Sequence, residues 1–403
     1  MSINLETPKK FGMLVNQAHQ VSTEIFRPIS RKYDRAEHEY PKELDMLASL
    51  IDGMNASGET NTGAGGVRRE TGSADRGNRN GTNMSSVLSI IEACWGDVAM
   101  VLSMPRQGLG NAAIASVAND EQLERFNGVW ASMAITEPSF GSDSSAVKTT
   151  AVRDGDHYVI NGEKIYVTAG GRCDAVVVWA SLDRSLGRAA IKSFVVEKGT
   201  PGMVVERLEH KLGIRASDTA TITFTDCRVP AENLLGSPEI EADQGFAGVM
   251  QTFDNTRPLV AGMAVGCARA ALDETEDLLK RAGVEIDYDR PALSQHAAAA
   301  TYLQLEADWE AAYLLTLQAT WLADNNKPNS LQASMAKAKA GRVGTEITLR
   351  CVELAGTLGY SEDSLLEKWA RDSKILDIFE GTQQIQQLII ARRLLNKSSA
   401  QLK

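Results

Sequence analysis

The segment Phe379-Glu380-Gly381-Thr382 has the residue types for proton-transfer chemistry. Glu380 follows an apolar run that starts at Ile375, and it precedes a glycine that lets the backbone approach a ligand closely. A carboxylate among apolar groups loses hydration, so its pKa should rise and let it act as a base near neutral pH. Taken alone, these residues favour a structural glutamate buried at a helix boundary, and the neighbouring motifs must decide.

Two further segments have the composition of ligand-binding turns. Residues 135–143 (ITEPSFGSD) combine Thr and Ser hydroxyls with a glycine-containing turn whose free amides suit a phosphate or a heterocycle. Residues 166–171 (YVTAGG) have the pattern of a strand that ends in a hydroxyl and a tight glycine turn. Taken alone, both segments favour plain connecting turns, because proline and glycine occur in every kind of loop.

The elements that must position these residues fall into three zones. Residues 1–130 have helical apolar spacing and predict an N-terminal helical domain. Residues 131–240 predict a compact antiparallel β-domain, with hairpin-type turns at Asp154-Gly155 and Asn161-Gly162. Residues 241–403 predict a helical bundle. Its clearest apolar stripe consists of Tyr302, Leu305, Trp309, Tyr313, Leu317 and Trp321.

Residues 55–83 interrupt the first zone. They are rich in Gly, Asn, Thr and Arg and nearly free of large apolar groups, so they cannot bury enough surface to order themselves. We therefore expect a mobile loop, which is either a lid over a site or a disordered insertion.

Bulk properties limit the possible partners and the compartment. The net charge of -10 disfavours nucleic acid and anionic membranes as main partners. No stretch approaches the ~20 apolar residues of a membrane helix, and the first ten residues are polar rather than those of a signal peptide. The 5 cysteines include no CxxC pair, which predicts buried, reduced thiols. The sequence thus predicts a cytoplasmic protein.

Two other kinds of site are disfavoured. Residues 108–113 fit the G-x-G-x-x-A dinucleotide pattern, but no β-run precedes them and Pro105 lies just upstream, so a helix–helix turn is expected. The 5 histidines show no metal-ligand spacing, and no metal site is predicted.

Five ordered motifs together resemble the acyl-CoA dehydrogenase family. They are residues 135–143, residues 166–171, residues 212–219 (LGIRASDT), residues 253–258 (FDNTRP), and residues 371–386 around Glu380. The resemblance implies an acyl-CoA dehydrogenase-like fold: an N-terminal α-helical domain, a middle antiparallel β-domain and a C-terminal four-helix bundle. The chain looks most similar to the actinobacterial members, including those of mycobacteria.

The resemblance also implies FAD as cofactor and assigns site residues. The residues expected to contact FAD are Ile135, Thr136, Gly141, Ser142, Tyr166, Thr168, Thr382 and Gln384. The residues expected to contact the acyl-CoA substrate are Ser142, Asp254, Arg257, Gly381 and Arg392. Glu380 would remove the α-proton while the β-hydride passes to the flavin N5, which leaves a trans-2-enoyl-CoA. Some family members carry the base at the position of Thr256, and threonine cannot fill that role.

The family's usual electron acceptor is an electron-transfer flavoprotein. An acyl-CoA oxidase on the same fold is the alternative within enzymes, and a non-catalytic, flavin-poor subunit of a heteromeric dehydrogenase is the alternative outside them. In homomeric members, each chain contributes two segments to the flavin site of the neighbouring subunit. At the corresponding positions of this chain, the usual residues are replaced by Glu285, Asp289, Glu353 and Thr357. An acidic group facing a diphosphate is repulsive. We therefore expect either a homotetramer with a rearranged contact or an α2β2 heterotetramer.

Overall fold

The computed structural model describes residues 8–56, 81–106, 109–240, 247–398 and 401, without the side chains of residues 50–56 and 247–255. Most of the predicted mobile segment 55–83 therefore lies outside the described residues.

Short and medium helices form the first zone. They are α1 (Gly12–Val21), α2 (Arg27–Ala36), α3 (Glu43–Ala56), α4 (Thr82–Gly96), α5 (Val98–Ser103), α6 (Leu109–Val117) and α7 (Asp120–Arg125). Polar side chains cap the starts of α5 and α7: Asp97 accepts from the Met100 amide before α5, and Asn119 forms a capping box with Gln122 before α7. Residues 109–113 of the G-x-G-x-x-A pattern form the start of α6 instead of the predicted helix–helix turn, and Gly108 lies outside the described residues.

A seven-stranded sheet forms the middle zone. Its strands are β1 (Ala131–Ala134), β2 (Thr150–Asp154), β3 (His157–Thr168), β4 (Ala175–Ser181), β5 (Ile191–Glu197), β6 (Met203–Leu208) and β7 (Thr219–Pro230). The strand order is β1-β4-β2-β3-β7-β6, with β5 paired to β4. Most neighbours are antiparallel, as predicted, but β4 pairs in parallel with β1 and β2, which the sequence pattern did not indicate.

Every residue of β4 is buried. Its alternate side chains enter two different apolar clusters: Val176 and Val178 pack with Ile160 on one face, and Val177 packs with Ile114 on the other. A strand covered on both faces has a continuous apolar sequence, because neither side chain direction meets water.

The Asp154-Gly155 hairpin is confirmed as the turn between β2 and β3. The predicted turn at Asn161-Gly162 is wrong, because β3 continues through both residues with a register shift against β7. Gly162 is required by close packing rather than by a turn, since a Cβ there would lie 2.8 Å from the Cα of Thr149.

Long helices form the last zone. They are α8 (Ala247–Arg281), α9 (Ala297–Asp324), α10 (Ser330–Ala355), α11 (Thr357–Tyr360), α12 (Leu366–Ser373) and α13 (Gln383–Leu395). Helix α10 packs against α8, α9 and α13, which gives the predicted four-helix arrangement. The predicted stripe on α9 is confirmed, with Tyr302, Leu305, Leu317 and Trp321 buried. None of the described helices is long and apolar enough to cross a membrane.

The first and third zones share one hydrophobic core, which also takes in Ile214 from the β6–β7 connection. A buried ionic network joins all three zones beside this core. Lys368 on α12 donates to Asp97 at 2.7 Å and also to Asp372, and the Ile214 amide donates to Asp372 Oδ1 at 2.5 Å. The five cysteines are free and buried, as predicted.

Candidate active site

Glu380 lies in a backbone turn that few residues other than glycine adopt. Its φ is 53°, and the next residue, Gly381, has a φ of 88°. The turn connects a short 3-10 helix, Lys374–Asp377, to the start of α13. Left-handed backbone at a non-glycine residue costs about 1–3 kcal/mol and persists only where the surroundings fix it.

The Glu380 carboxylate is partly buried and accepts a hydrogen bond from the Thr256 hydroxyl on α8. Burial raises the pKa of Glu380, while the Thr256 hydrogen bond and the charges of Arg257 and Lys337 lower it. Burial outweighs the other three, so the net shift is upward, which is the predicted direction.

Three donors on different helices hold this turn. Besides Thr256, Gln386 Nε2 donates to the carbonyl oxygens of Glu380 and Gly381 at 3.1 and 3.2 Å. Lys337 Nζ on α10 donates to the Gly381 carbonyl at 2.7 Å. A side chain at position 381 would be strained by the φ of 88°, and its Cβ would displace Gln386 Nε2, which lies 2.5 Å from that position.

The structure also places the other predicted residues of the C-terminal zone. Arg257 is buried next to Thr256. Thr382 caps α13 by accepting from the Ile385 amide, Gln384 is exposed on the first turn of that helix, and Arg392 is partly buried near its end. The side chain of Asp254 lies outside the described residues.

The predicted turn at residues 135–143 is anchored from below by a buried ion pair. Lys164 Nζ on β3 donates to Glu137 Oε1 at 2.8 Å and to the Ile135 carbonyl at 3.2 Å. Glu137 also accepts from the amides of Lys148 and Thr149, at 2.7 and 2.9 Å. Burial raises the pKa of Glu137, but these contacts outweigh it and hold the pKa below its usual value.

The second predicted segment lies directly beside this turn. The Ile165 amide on β3 donates to the Thr136 carbonyl at 2.9 Å. The next residue, Tyr166, has a φ of 58° at a register shift in β3 and is 62% exposed. Thr168 ends the strand. The structure therefore brings residues 135–142 and 166–168 together on one side of the β-domain.

The sequence matches known families over both zones that carry these residues. Residues 132–227 match acyl-CoA dehydrogenase, middle domain, and residues 243–395 match acyl-CoA dehydrogenase, C-terminal domain. Subunit CarC of the caffeyl-CoA reductase-Etf complex from Acetobacterium woodii is 34% identical over 80% of this chain and 85% of its own length. The chain belongs to the acyl-CoA dehydrogenase family.

Other relatives agree with this assignment. The mitochondrial short-chain specific acyl-CoA dehydrogenase of Rattus norvegicus is 40% identical over 65% of this chain, and the match spans 62% of that enzyme's length. The solved structure of butyryl-CoA dehydrogenase from Megasphaera elsdenii superposes with a TM-score of 0.83 at 30% identity, over 98% of this chain and 100% of that one. The predicted fold class is confirmed.

FAD is the cofactor of the acyl-CoA dehydrogenase family, and the β-domain residues fit it. Within the described residues, the hydroxyls of Thr136, Ser142 and Thr168 make no hydrogen bond to protein, so they remain available to a polar ligand. A Cβ at Gly141 would make only an ordinary contact with Thr136 Cγ2, at 3.9 Å, and Tyr166 offers an exposed aromatic ring. Hydroxyls, open turn amides and an aromatic face suit a flavin with its diphosphate.

The sequence did not reveal the residues that support this site. Thr256 was considered only as the alternative position of the base, and Glu137, Lys164, Lys337 and Gln386 received no role. The sequence offers one signal for such supporting residues, namely a lysine inside an otherwise apolar pattern, because a buried charge needs a partner. The sequence does not show which partner it finds.

Proposed function

We propose that this chain catalyses the FAD-dependent α,β-dehydrogenation of an acyl-CoA thioester to the trans-2-enoyl-CoA. The observation that supports this most directly is the Glu380 carboxylate, partly buried, held by Thr256 and raised in pKa, in a turn fixed from three helices. The names of the relatives support the substrate class, since they include a short-chain specific and a butyryl-CoA dehydrogenase.

In the proposed reaction, Glu380 takes the proton from the α-carbon of the thioester. FAD, when bound, supplies the acceptor for the hydride that leaves the β-carbon. A thioester α-proton is only weakly acidic, so the site must stabilise the negative charge that develops on the thioester oxygen. Within the described residues, the Glu380 and Gly381 amides donate to no protein acceptor, which leaves them available to that oxygen. Each such donor contributes about 3 kcal/mol to lowering a barrier of this kind.

Other residues would place the cofactor and substrate around this carboxylate. We propose Ile135, Thr136, Gly141, Ser142, Tyr166, Thr168, Thr382 and Gln384 as FAD contacts. We propose Ser142, Asp254, Arg257, Gly381 and Arg392 as acyl-CoA contacts. Both sets follow the family resemblance, and the grouping of residues 135–142 with 166–168 supports the first.

Glu380→Gln tests the assignment, because it keeps the side-chain shape and removes the base. We expect the holoenzyme to keep its FAD and the rate of flavin bleaching by acyl-CoA, measured anaerobically, to fall about 10²- to 10⁴-fold. Substrates from butyryl- to palmitoyl-CoA should be tried. Glu362→Gln, at an exposed carboxylate that pairs with Arg35, is the matched control. If acyl-CoA reduces the flavin of Glu380→Gln at nearly the wild-type rate, Glu380 is not the base and the proposal is wrong.

Enoyl-CoA reduction is a second candidate, since one of the relatives is named a caffeyl-CoA reductase-Etf complex subunit. By microscopic reversibility, Glu380 would then deliver a proton to the α-carbon. The same relative's name supports an electron-transfer flavoprotein as the redox partner. Flavin reoxidation by such a partner, compared with reoxidation by air, separates a dehydrogenase from an acyl-CoA oxidase.

We further infer an assembly with a second, related chain, in the manner of the actinobacterial α2β2 enzymes. The segments that family members lend to a neighbouring flavin are exposed here: Glu285 and Asp289 lie in the α8–α9 connection. Glu353, at the end of α10, pairs with Arg350 on its own helix. Their negative charge disfavours a neighbour's FAD diphosphate. A partner chain with basic residues in these segments would complete the site.

A further inference from the structure

Three lysines are fully buried within the described part of the chain, and one of them differs from the other two. Lys164 pairs with Glu137, and Lys368 pairs with Asp97 and Asp372. Lys337 has no ion-pair partner among the described residues, and its Nζ donates to the Gly381 carbonyl at 2.7 Å.

A buried ammonium group without an ion pair is costly, because it loses hydration and regains little from a neutral carbonyl. Burial lowers the pKa of Lys337 to about 8, although Asp377 and Glu380 partly offset this shift. An apolar side chain such as methionine would avoid the cost at this position of α10. We therefore expect the Lys337 ammonium group to serve function rather than stability.

The contact that Lys337 makes lies next to the proposed base. Glu380 and Gly381 both have left-handed backbone, and their carbonyl oxygens accept from Gln386 and Lys337. Since the Glu380 side chain departs from this turn, any relaxation of the turn moves the carboxylate. A misplacement of about 1 Å in a reacting group costs on the order of 10²-fold in rate.

We propose that Lys337 is a positioning residue for Glu380, which it fixes through the Gly381 carbonyl and keeps in the carboxylate form through its positive charge. The proposal rests on the function of Glu380 proposed above. The charged and titratable groups that face Glu380 are Arg257 on α8, Lys337 on α10 and, beyond Lys337, Asp377 on the 3-10 helix. Lys337 contacts the turn directly, because its side chain donates to the Gly381 carbonyl.

The test compares Lys337→Met, which removes charge and donor, with Lys337→Gln, which removes the charge and keeps an N–H donor on a shorter side chain, and Lys337→Arg, which keeps both. Lys339→Met is the matched control, because Lys339 lies on the same helix and pairs with Asp308 at the surface. The readouts are FAD per chain, the rate of flavin reduction by acyl-CoA, and the pH dependence of that rate.

We expect Lys337→Met to retain FAD and to reduce it about 10- to 100-fold more slowly. Glu380 must be ionised to accept a proton, so the rate rises with pH through its pKa. Removal of the nearby ammonium raises that pKa, and the acid limb should move to higher pH in both the Met and Gln variants. The wild-type ammonium is present below a pH of about 8, so the difference should be largest there. In Lys337→Arg, the acid limb of the pH–rate profile should lie at its wild-type position. Lys339→Met should match wild type in both rate and pH profile.

A second readout separates proton abstraction from redox chemistry. A thioester with sulfur in place of its β-carbon cannot lose a hydride but keeps its α-protons, so their exchange in deuterated water reports on the base alone. Exchange should slow in the Met variant by the same factor as flavin reduction.

A FAD-loaded Lys337→Met enzyme with wild-type rate and an unmoved acid limb would overturn the inference. If the Met variant does not fold, a Lys337→Gln enzyme whose acid limb lies at the same pH as in wild type would also overturn the inference. A wild-type enzyme that neither exchanges α-protons nor is reduced by any acyl-CoA would instead defeat the proposed function, so the two failures are distinct.

Discussion

At the scale of single residues, opposing effects set the pKa of Glu380, the proposed base. Burial raises the pKa, whereas Thr256, Arg257 and Lys337 lower it. A fully desolvated carboxylate would be protonated at neutral pH and useless as a base, so the three polar neighbours limit the rise. The sequence predicted the burial from the apolar run before Glu380. The family resemblance implied that Arg257 contacts the substrate and that Thr256 occupies the alternative position of the base. It did not predict the hydrogen bond from Thr256 to Glu380, which lies 124 positions away along the chain.

Thr256→Val tests this balance at one atom, since valine keeps the shape of threonine and removes the hydroxyl. Loss of the hydrogen bond should raise the pKa of Glu380 further, and the acid limb of the kcat/KM profile should move to higher pH. The matched control is Thr275→Val, a buried threonine further along α8. Coincident acid limbs for wild type and Thr256→Val would show that the hydroxyl has no influence on the base.

At the scale of elements, the turn at residues 135–143 depends on a strand that follows it in sequence. Its composition predicted a turn, and the family resemblance implied that the turn contacts FAD. The structure adds the reason why the turn keeps one shape, because Glu137 and Lys164 form a buried ion pair next to it. Turn residues carry a local signal that a sequence can reveal. The buried pair depends on the register of β3 against its neighbours, and the bulge misjudged as a turn at Asn161-Gly162 is part of that register.

Glu137→Gln should therefore weaken both the fold and the FAD site. It leaves Lys164 buried without a countercharge, which costs about 3–5 kcal/mol of unfolding free energy. Urea denaturation and FAD per chain measure the two effects. Asp154→Asn, at the exposed pair with Arg228 in the same domain, should cost less than about 1 kcal/mol.

The pH dependence of this difference follows from the lowered pKa of Glu137. Its ionised form stabilises the protein at pH values above the usual 4.5, and that contribution disappears as the pH falls through the lowered value. The gap between wild type and Glu137→Gln should therefore narrow in acid. If the difference in unfolding free energy between wild type and Glu137→Gln stays constant down to denaturing pH, the ion pair does not cause it.

At the scale of the whole molecule, the three predicted zones are correct in order but are not three separate cores. The N-terminal and C-terminal helices bury one common cluster, and Lys368 ties Asp97 of the first zone to Asp372 of the third. Periodicity along a chain shows which face of a helix is apolar. It does not show which distant helix covers that face, so the shared core could not be predicted from the sequence.

The assembly proposal makes a prediction for the chain expressed alone. If Glu285, Asp289 and Glu353 face a neighbouring FAD diphosphate, as proposed, homo-oligomers should contain well under one FAD per chain. Co-expression with a related chain that carries basic residues in these segments should restore binding to one FAD per pair of chains. Visible flavin absorbance per protein, combined with mass by light scattering, measures FAD content and oligomeric state.

Glu285→Arg should raise the FAD content of the isolated chain, whereas Glu121→Arg, on exposed α7, should not. A homo-oligomer that purifies with one FAD per chain would show that this chain completes its own sites.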